Sequence, residues 1–237
     1  MKISSMNWMQ VEDYLREKDS CVIPVGSTEQ HAYLSLATDS ILAERIAVES
    51  ADPLGIPVFP VMPYGMTPDF LDYPGTVSLR KETLENVFAD ILDSLYHHGF
   101  RKMFIVNGHG GNMPLEKKVK EWCAANSGSR VFFYNWWREP KTWAKVCEKD
   151  TVGSHASWME NFAWTRLAGV QMPGEAKPMI ELSGLRGITP AQARELMGDG
   201  NWGGEYQKPD DVMADVWNAA VEEAREELEK FSAGSCK

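Results

Sequence analysis

The sequence is poor in cysteine, histidine and positive charge, and it has no long apolar run. Each shortage excludes something. Spanning a bilayer as a helix takes roughly 18 or more consecutive apolar residues, and no segment approaches that. The first stretch, 1-MKISSMNWMQVEDYLREKD-19, is too polar and too acidic to act as a signal peptide. The four cysteines, Cys21, Cys123, Cys147 and Cys236, stand far apart and form no CxxC pair. That argues against a disulfide framework and a thiolate zinc site, and predicts free thiols in a reducing, cytoplasmic setting. Lys and Arg total 24 against 34 Asp and Glu, a net charge of −10. A chain this acidic is a poor partner for nucleic acid or for an anionic membrane surface. No linker, repeat or low-complexity tract interrupts the 237 residues, so one domain, 1–237, is expected.

What is present alternates in character. Apolar runs rich in β-branched or aromatic residues predict strands at 21-CVIPV-25, 56-IPVFPV-61, 102-KMFIV-106 and 130-RVFFYN-135. Between the second and third runs, Leu84, Val87, Phe88, Ile91, Leu92, Leu95 and Tyr96 recur at helical spacing, and Gly99 supplies a stop. Further helices are expected near 39–51, 113–126, 155–168, 190–198 and 209–231. Strands alternating with helices predict an α/β fold: a largely parallel sheet with helices on both faces. Ligands of such sheets bind in the loops at the carboxyl edge. The loops beginning at Gly26, Asn107 and Asn135 all follow predicted strands and could share that edge.

Five histidines are present, and two of them, His97 and His98, close a predicted helix where the helix dipole favours them. The other three sit in polar or glycine-rich stretches. In 29-EQH-31, Glu29 and His31 are two residues apart and point to one side of an extended segment, where they could share a Zn²⁺ or Mn²⁺ ion. A turn is the plainer reading of the same residues. Asp39 could join them, or simply cap the helix that follows. In 107-NGHGGN-112, three glycines and two asparagines enclose His109, which could be a ligand held at a strand end or an incidental residue of a turn. In 153-GSHASWMENF-162, His155 and Glu160 could serve one site without occupying one coordination position. An exposed helix carboxylate is the common fate of a residue such as Glu160.

The order GSTEQH…TD, YPGT, NGHGGN and HAxxxE resembles the creatininase (creatinine amidohydrolase) family from about Ile23 to Glu160. The resemblance implies a three-layer α/β/α fold, two divalent metals (zinc or manganese, with iron in some members) and a homo-oligomer, often a hexamer. It implies Glu29, His31, Asp39, His109 and Glu160 as ligands, with Asp39 bridging the ions, and His155 as the catalytic histidine. Trp136 and Trp137 fall where members place an aromatic over the substrate; Tyr64, Gly110 and Asn112 are further candidates for contact with a small-molecule substrate. Three departures argue against creatinine itself. The run after EQH is one residue short and lacks a second histidine. Gly110 and Gly111 stand where creatinine-cleaving members carry Tyr-Glu, and Asp69-Phe70 stand where members commonly carry Glu-His. The expected activity is hydrolysis of a small cyclic amide, a formamide or a related ring, through a metal-bridging hydroxide and a histidine acid/base. The alternatives are ring-opening C–C hydrolysis of an oxidised inositol and a catalytically silent metal-binding member.

Overall fold

The computed structural model describes residues 1–185 and 187–234; Cys236 lies outside them. In chain order the main elements are α1 (Trp8–Leu15), β1 (Ser20–Val25), α2 (Thr38–Ala51), α3 (Lys81–His98), β2 (Lys102–Asn107), α4 (Pro114–Ala125), β3 (Arg130–Asn135), α5 (Pro140–Lys149), α6 (Pro190–Met197) and α7 (Asp210–Ser232). The three strands form a parallel sheet in the order β1-β2-β3. Its register aligns Val25 with Asn107 and Asn107 with Asn135, so all three strands end level.

Alternation of side chains along each strand divides the core in two. Val22, Phe104, Val106 and Tyr134 face one side, where α2, α5 and α7 cover them with residues such as Leu42, Ile46, Val146 and Trp217. Cys21, Ile23, Val25, Met103 and Ile105 face the other, packed on the apolar stripes of α3 and α4. The result is a helix–sheet–helix sandwich, and β1 is buried along its whole length, as a parallel strand covered on both faces must be. Phe88, fully buried in the second half-core, would cost about 3–5 kcal/mol to truncate to Ala. Among the described residues no helix is long and apolar enough to cross a membrane.

Two expectations fail locally. Residues 56–61 do not form a strand. Val58 bridges to Lys2 and Val22, and Met62 to Val25, but only as isolated pairs. Pro57 and Pro60 have no N–H to donate, so a continuous ladder cannot form. The predicted helix at 155–168 is instead a series of turns with one short 3₁₀ segment, Trp158–Glu160. Ala156 there has φ of 58°, a left-handed conformation no helix contains. Conversely α1 and α5 were not expected; both are short, with apolar faces too brief to stand out as periodicity.

Candidate metal centre

The level strand ends bring three loops together. Gly108 lets the β2 loop approach the first turn of α2: a Cβ there would lie 2.3 Å from the Asp39 carbonyl oxygen. Asp39 itself is not the cap of α2. The capping position is Ala37, and Asp39 is the second helical residue, its side chain turned to the strand ends.

Its carboxylate is shared. Oδ1 lies 2.9 Å from His31 Nε2, and Oδ2 lies 3.0 Å from His109 Nδ1 and accepts the Ser27 hydroxyl at 2.8 Å. Each histidine is fixed from its far side by a backbone carbonyl. His31 Nδ1–H donates to Glu29 O at 3.2 Å, and His109 Nε2–H donates to Met66 O at 3.0 Å. That leaves Nε2 of His31 and Nδ1 of His109 turned inward, the arrangement by which outer partners orient metal-binding imidazoles. Glu29 Oε1 approaches His109 Nδ1 at 3.3 Å and His155 Nδ1 at 3.7 Å. Glu160 Oε2 lies 3.7 Å from His31 Nε2 and accepts the Ala156 N–H at 2.6 Å.

These residues fit a metal. Glu29 is fully buried and neither carboxylate oxygen has a hydrogen-bond partner, which is costly unless a cation faces it. Two three-residue groups have ligand atoms within 4.8 Å of one another: Glu29, Asp39 and His109, and His31, Asp39 and Glu160. A third joins Glu29, His31 and His155. Carboxylate oxygen and imidazole nitrogen together suit Zn²⁺ or Mn²⁺. The electrostatics show the same demand. Burial pulls the His31 pKa down, but Asp39 and the neighbouring carboxylates outweigh it and lift it to about 10. Burial likewise opposes His109, which Glu29 and Asp39 raise well above the usual histidine value. Asp39 is held low despite its burial by the same two histidines. Burial pushes Glu160 up to about 7. The cluster therefore requires positive charge, supplied either by protons on the histidines or by ions that displace them.

His155 stands differently. Burial, and then the charge of His31, push its pKa well below the usual value. Its ring lies 5.0 Å from that of Phe70 and 5.3 Å from that of Trp202. Nε2 is 2.8 Å from the Gln30 side-chain nitrogen and 3.1 Å from the Gln30 carbonyl oxygen. A bare Nε2 can accept from the amide, and a protonated one can donate to the carbonyl, so one residue serves both states.

A cavity of about 760 Å³ opens over Glu29, Asp39, His109, His155 and Glu160. Gly110 and Trp137 line it; Trp136, Tyr64 and Asn112 do not. Trp136 is 1% exposed and packs on Phe162 and Trp217 in the core, because the turn after β3 sends successive side chains to different sides. Tyr64 is exposed on the surface and is not among the lining residues. Asn112 is spent on the scaffold: its Nδ2 donates to Gly26 O and Asn107 Oδ1, and its Oδ1 accepts the Met66 N–H. Trp143, Trp202 and Arg138 also line the cavity. Arg138 directly follows the Trp136-Trp137 pair singled out in the sequence, whereas Trp143 and Trp202 belong to no motif.

Gly111 explains one departure noted in the sequence. A Cβ at this position would lie 1.9 Å from the Met66 carbonyl oxygen and 2.4 Å from His109 Nε2. The chain crossing at Met66 leaves no room for a ligand side chain there, and Glu160 reaches the cluster from another loop.

The comparisons agree with this architecture. The chain matches a 3-dehydro-scyllo-inosose hydrolase of Thermotoga maritima at 32% identity over 45% of this chain and 35% of that protein. It matches a creatinine amidohydrolase of Pseudomonas putida at 30% identity, over 46% of this chain and 45% of the relative. A mycofactocin precursor peptide peptidase of Mycolicibacterium smegmatis is 37% identical over 39% of this chain and 40% of its own. The matches thus span less than half the length of these curated relatives. Among solved structures, a creatinine amidohydrolase (creatininase) superposes with a TM-score of 0.83 at 19% identity, covering 98% of this chain and 97% of that one. A manganese creatininase does so at 0.81 and 20% identity, covering 97% and 98%. The family model described as creatininase (creatinine amidohydrolase) matches residues 4–228, and the chain belongs to that family.

Proposed function

We propose that this chain is a divalent-metal-dependent hydrolase that cleaves a C–N bond of a small amide. The observation that carries the reading is the carboxylate of Asp39, whose two oxygens face two histidines in two separate ligand groups. Glu29 and His109 would complete one ion's ligands, and His31 and Glu160 the other's. Bound ions of this kind lower the pKa of water and polarise a carbonyl. The chain's own residues do the rest. The aromatic walls, Phe70, Trp137 and Trp202, exclude water and hold a flat substrate over the carboxylates. His155, held through Nε2 on Gln30, moves the proton to the departing nitrogen through Nδ1, which faces the Glu29 side.

A cyclic amide or a formamide is the substrate class of this proposal. The names of the relatives keep an inosose hydrolase and a peptide peptidase in view. A cytoplasmic homo-oligomer belongs to the same reading through the family and, among the described residues, the free thiols of Cys21, Cys123 and Cys147. The test is metal analysis together with a turnover screen against cyclic amides, formamides, inosose-type diketones and short peptides. Two metal equivalents per chain and amide turnover support the proposal; a protein that retains no metal after gentle purification sinks it.

A further inference from the structure

Among the described residues that line the cavity, Arg138 is the one fixed cation; the remaining charges, apart from the histidines, are the acidic Glu29, Asp39 and Glu160 on its floor and Asp69 on its wall. Arg138 ends the short 3₁₀ turn Trp136–Arg138 that follows β3, so the sheet holds its backbone at the carboxyl edge. Its side chain is exposed and makes no ion pair or hydrogen bond among the described residues, although its charge acts on neighbouring Glu139. Other arginines are engaged: Arg45 with Glu49, Arg166 with Asp210, and Arg194 with the Asp72 carbonyl. Beside it on the cavity wall stand Trp137, half-buried, and Trp143, whose indole is 39% exposed. An open indole and a guanidinium on the same cavity lining offer one ligand both an apolar shelf and a planar fork. The fork matches a carboxylate in two parallel hydrogen bonds, which an ammonium cannot do. The volume fits this arrangement. About 760 Å³ suits a ligand well beyond the size of one five-membered ring, with room between the acidic floor and the outer wall.

We infer that the substrate is an amide bearing a carboxylate, bound with its amide over the Asp39 cluster and its carboxylate on Arg138. This rests on the hydrolase reading of the cavity, widens its substrate class from cyclic amides and formamides to acyl amino acids and peptide ends, and adds a specificity-determining residue to it. Arg138 touches no reacting atom. It fixes the far end of the substrate and so selects an acyl amino acid or a peptide carboxyl terminus over a neutral amide of the same shape. Asp69 on the wall rejects the same carboxylate there, which helps set the orientation.

The test uses the metal-loaded protein and two matched probe pairs, read by calorimetry. N-formylphenylalanine is compared with N-formylphenylalaninamide, and N-acetylglycylphenylalanine with its carboxamide. The native protein is expected to bind a carboxylate about tenfold more tightly than its carboxamide. Arg138→Ala should bring the two within about twofold by weakening the carboxylate alone, and Arg138→Lys should keep part of the difference. Unchanged affinity for the carboxamide shows that the variant cavity is intact. A stronger formyl pair identifies an acyl amino acid, and a stronger acetylglycyl pair a peptide end. Equal affinities in the native protein overturn the inference. So does binding of neither pair at millimolar concentration, or a preference that survives Arg138→Ala, which would place the carboxylate on the ions. Because the readout is binding, the two claims separate. Preference without turnover of any amide sinks the hydrolase reading, and turnover without preference sinks the role of Arg138.

Discussion

Asp39 lies between His31 and His109, with one carboxylate oxygen 2.9 Å from the first and the other 3.0 Å from the second. A carboxylate so placed belongs to both ligand groups at once. Asp39→Asn removes charge from both and is expected to lower total metal content more than Glu160→Ala, which touches one group alone. Elemental analysis after dialysis checks the order. Equal losses in the two variants would mean that Asp39 does not bridge.

His155 is expected to act on the proton rather than on the metal. His155→Ala should keep its metal and lose turnover by about 10²–10⁴-fold, the usual scale for a missing acid/base. Its ligand-like position beside Glu29 and His31 makes the measurement decisive. A variant that loses metal along with activity identifies His155 as a ligand instead.

Neighbouring glycines in the His109 loop should respond in opposite ways. Gly111→Ala puts a methyl 1.9 Å from the Met66 carbonyl, the acceptor that orients His109. The loop must shift, so metal affinity should fall at least tenfold and stability by about 1–3 kcal/mol. Gly110→Ala meets no atom within 4 Å and should change both little. Chelator competition and denaturant titration of the pair read the contrast.

Away from the centre, Glu223 on α7 is buried and caps α5 from across the fold. Its carboxylate accepts the Lys141 and Thr142 N–H groups at 2.8 and 2.7 Å and the Thr142 hydroxyl at 2.8 Å. Glu223→Ala leaves those buried donors unpaired and should cost about 2–4 kcal/mol in denaturant unfolding, with metal content at native ion concentrations unchanged. A loss under 0.5 kcal/mol, on the scale of a surface substitution, would show that water replaces the carboxylate.

The alternation of buried strands with amphipathic helices was legible along the chain because each element satisfies its own backbone and carries its own apolar period. The failures are where that locality breaks. The apolar run at 56–61 looks like a strand in composition, but its prolines interrupt the hydrogen bonds, and it lies along β1 by scattered bridges. The stretch at 155–168 looks helical in polarity, yet its backbone is bound elsewhere: Trp158 N–H donates to Glu205 O, and the Asn161 side chain to Tyr206 O.

Residue type and local spacing carry the parallel α/β order and the short motifs holding Glu29, His31, Asp39, His109, His155 and Glu160. How they meet is a matter of long-range packing. Level strand ends brought the loops after β1 and β2 together, the segment after α5 carried in His155 and Glu160, the α2 turn aimed Asp39 at two histidines, and the Met66 crossing closed Gly111 to any side chain. Such packing also separated adjacent tryptophans, Trp136 into the core and Trp137 onto the cavity beside Arg138. Side-chain direction after a strand depends on what packs on each face, and those partners, such as Trp217, lie far along the chain.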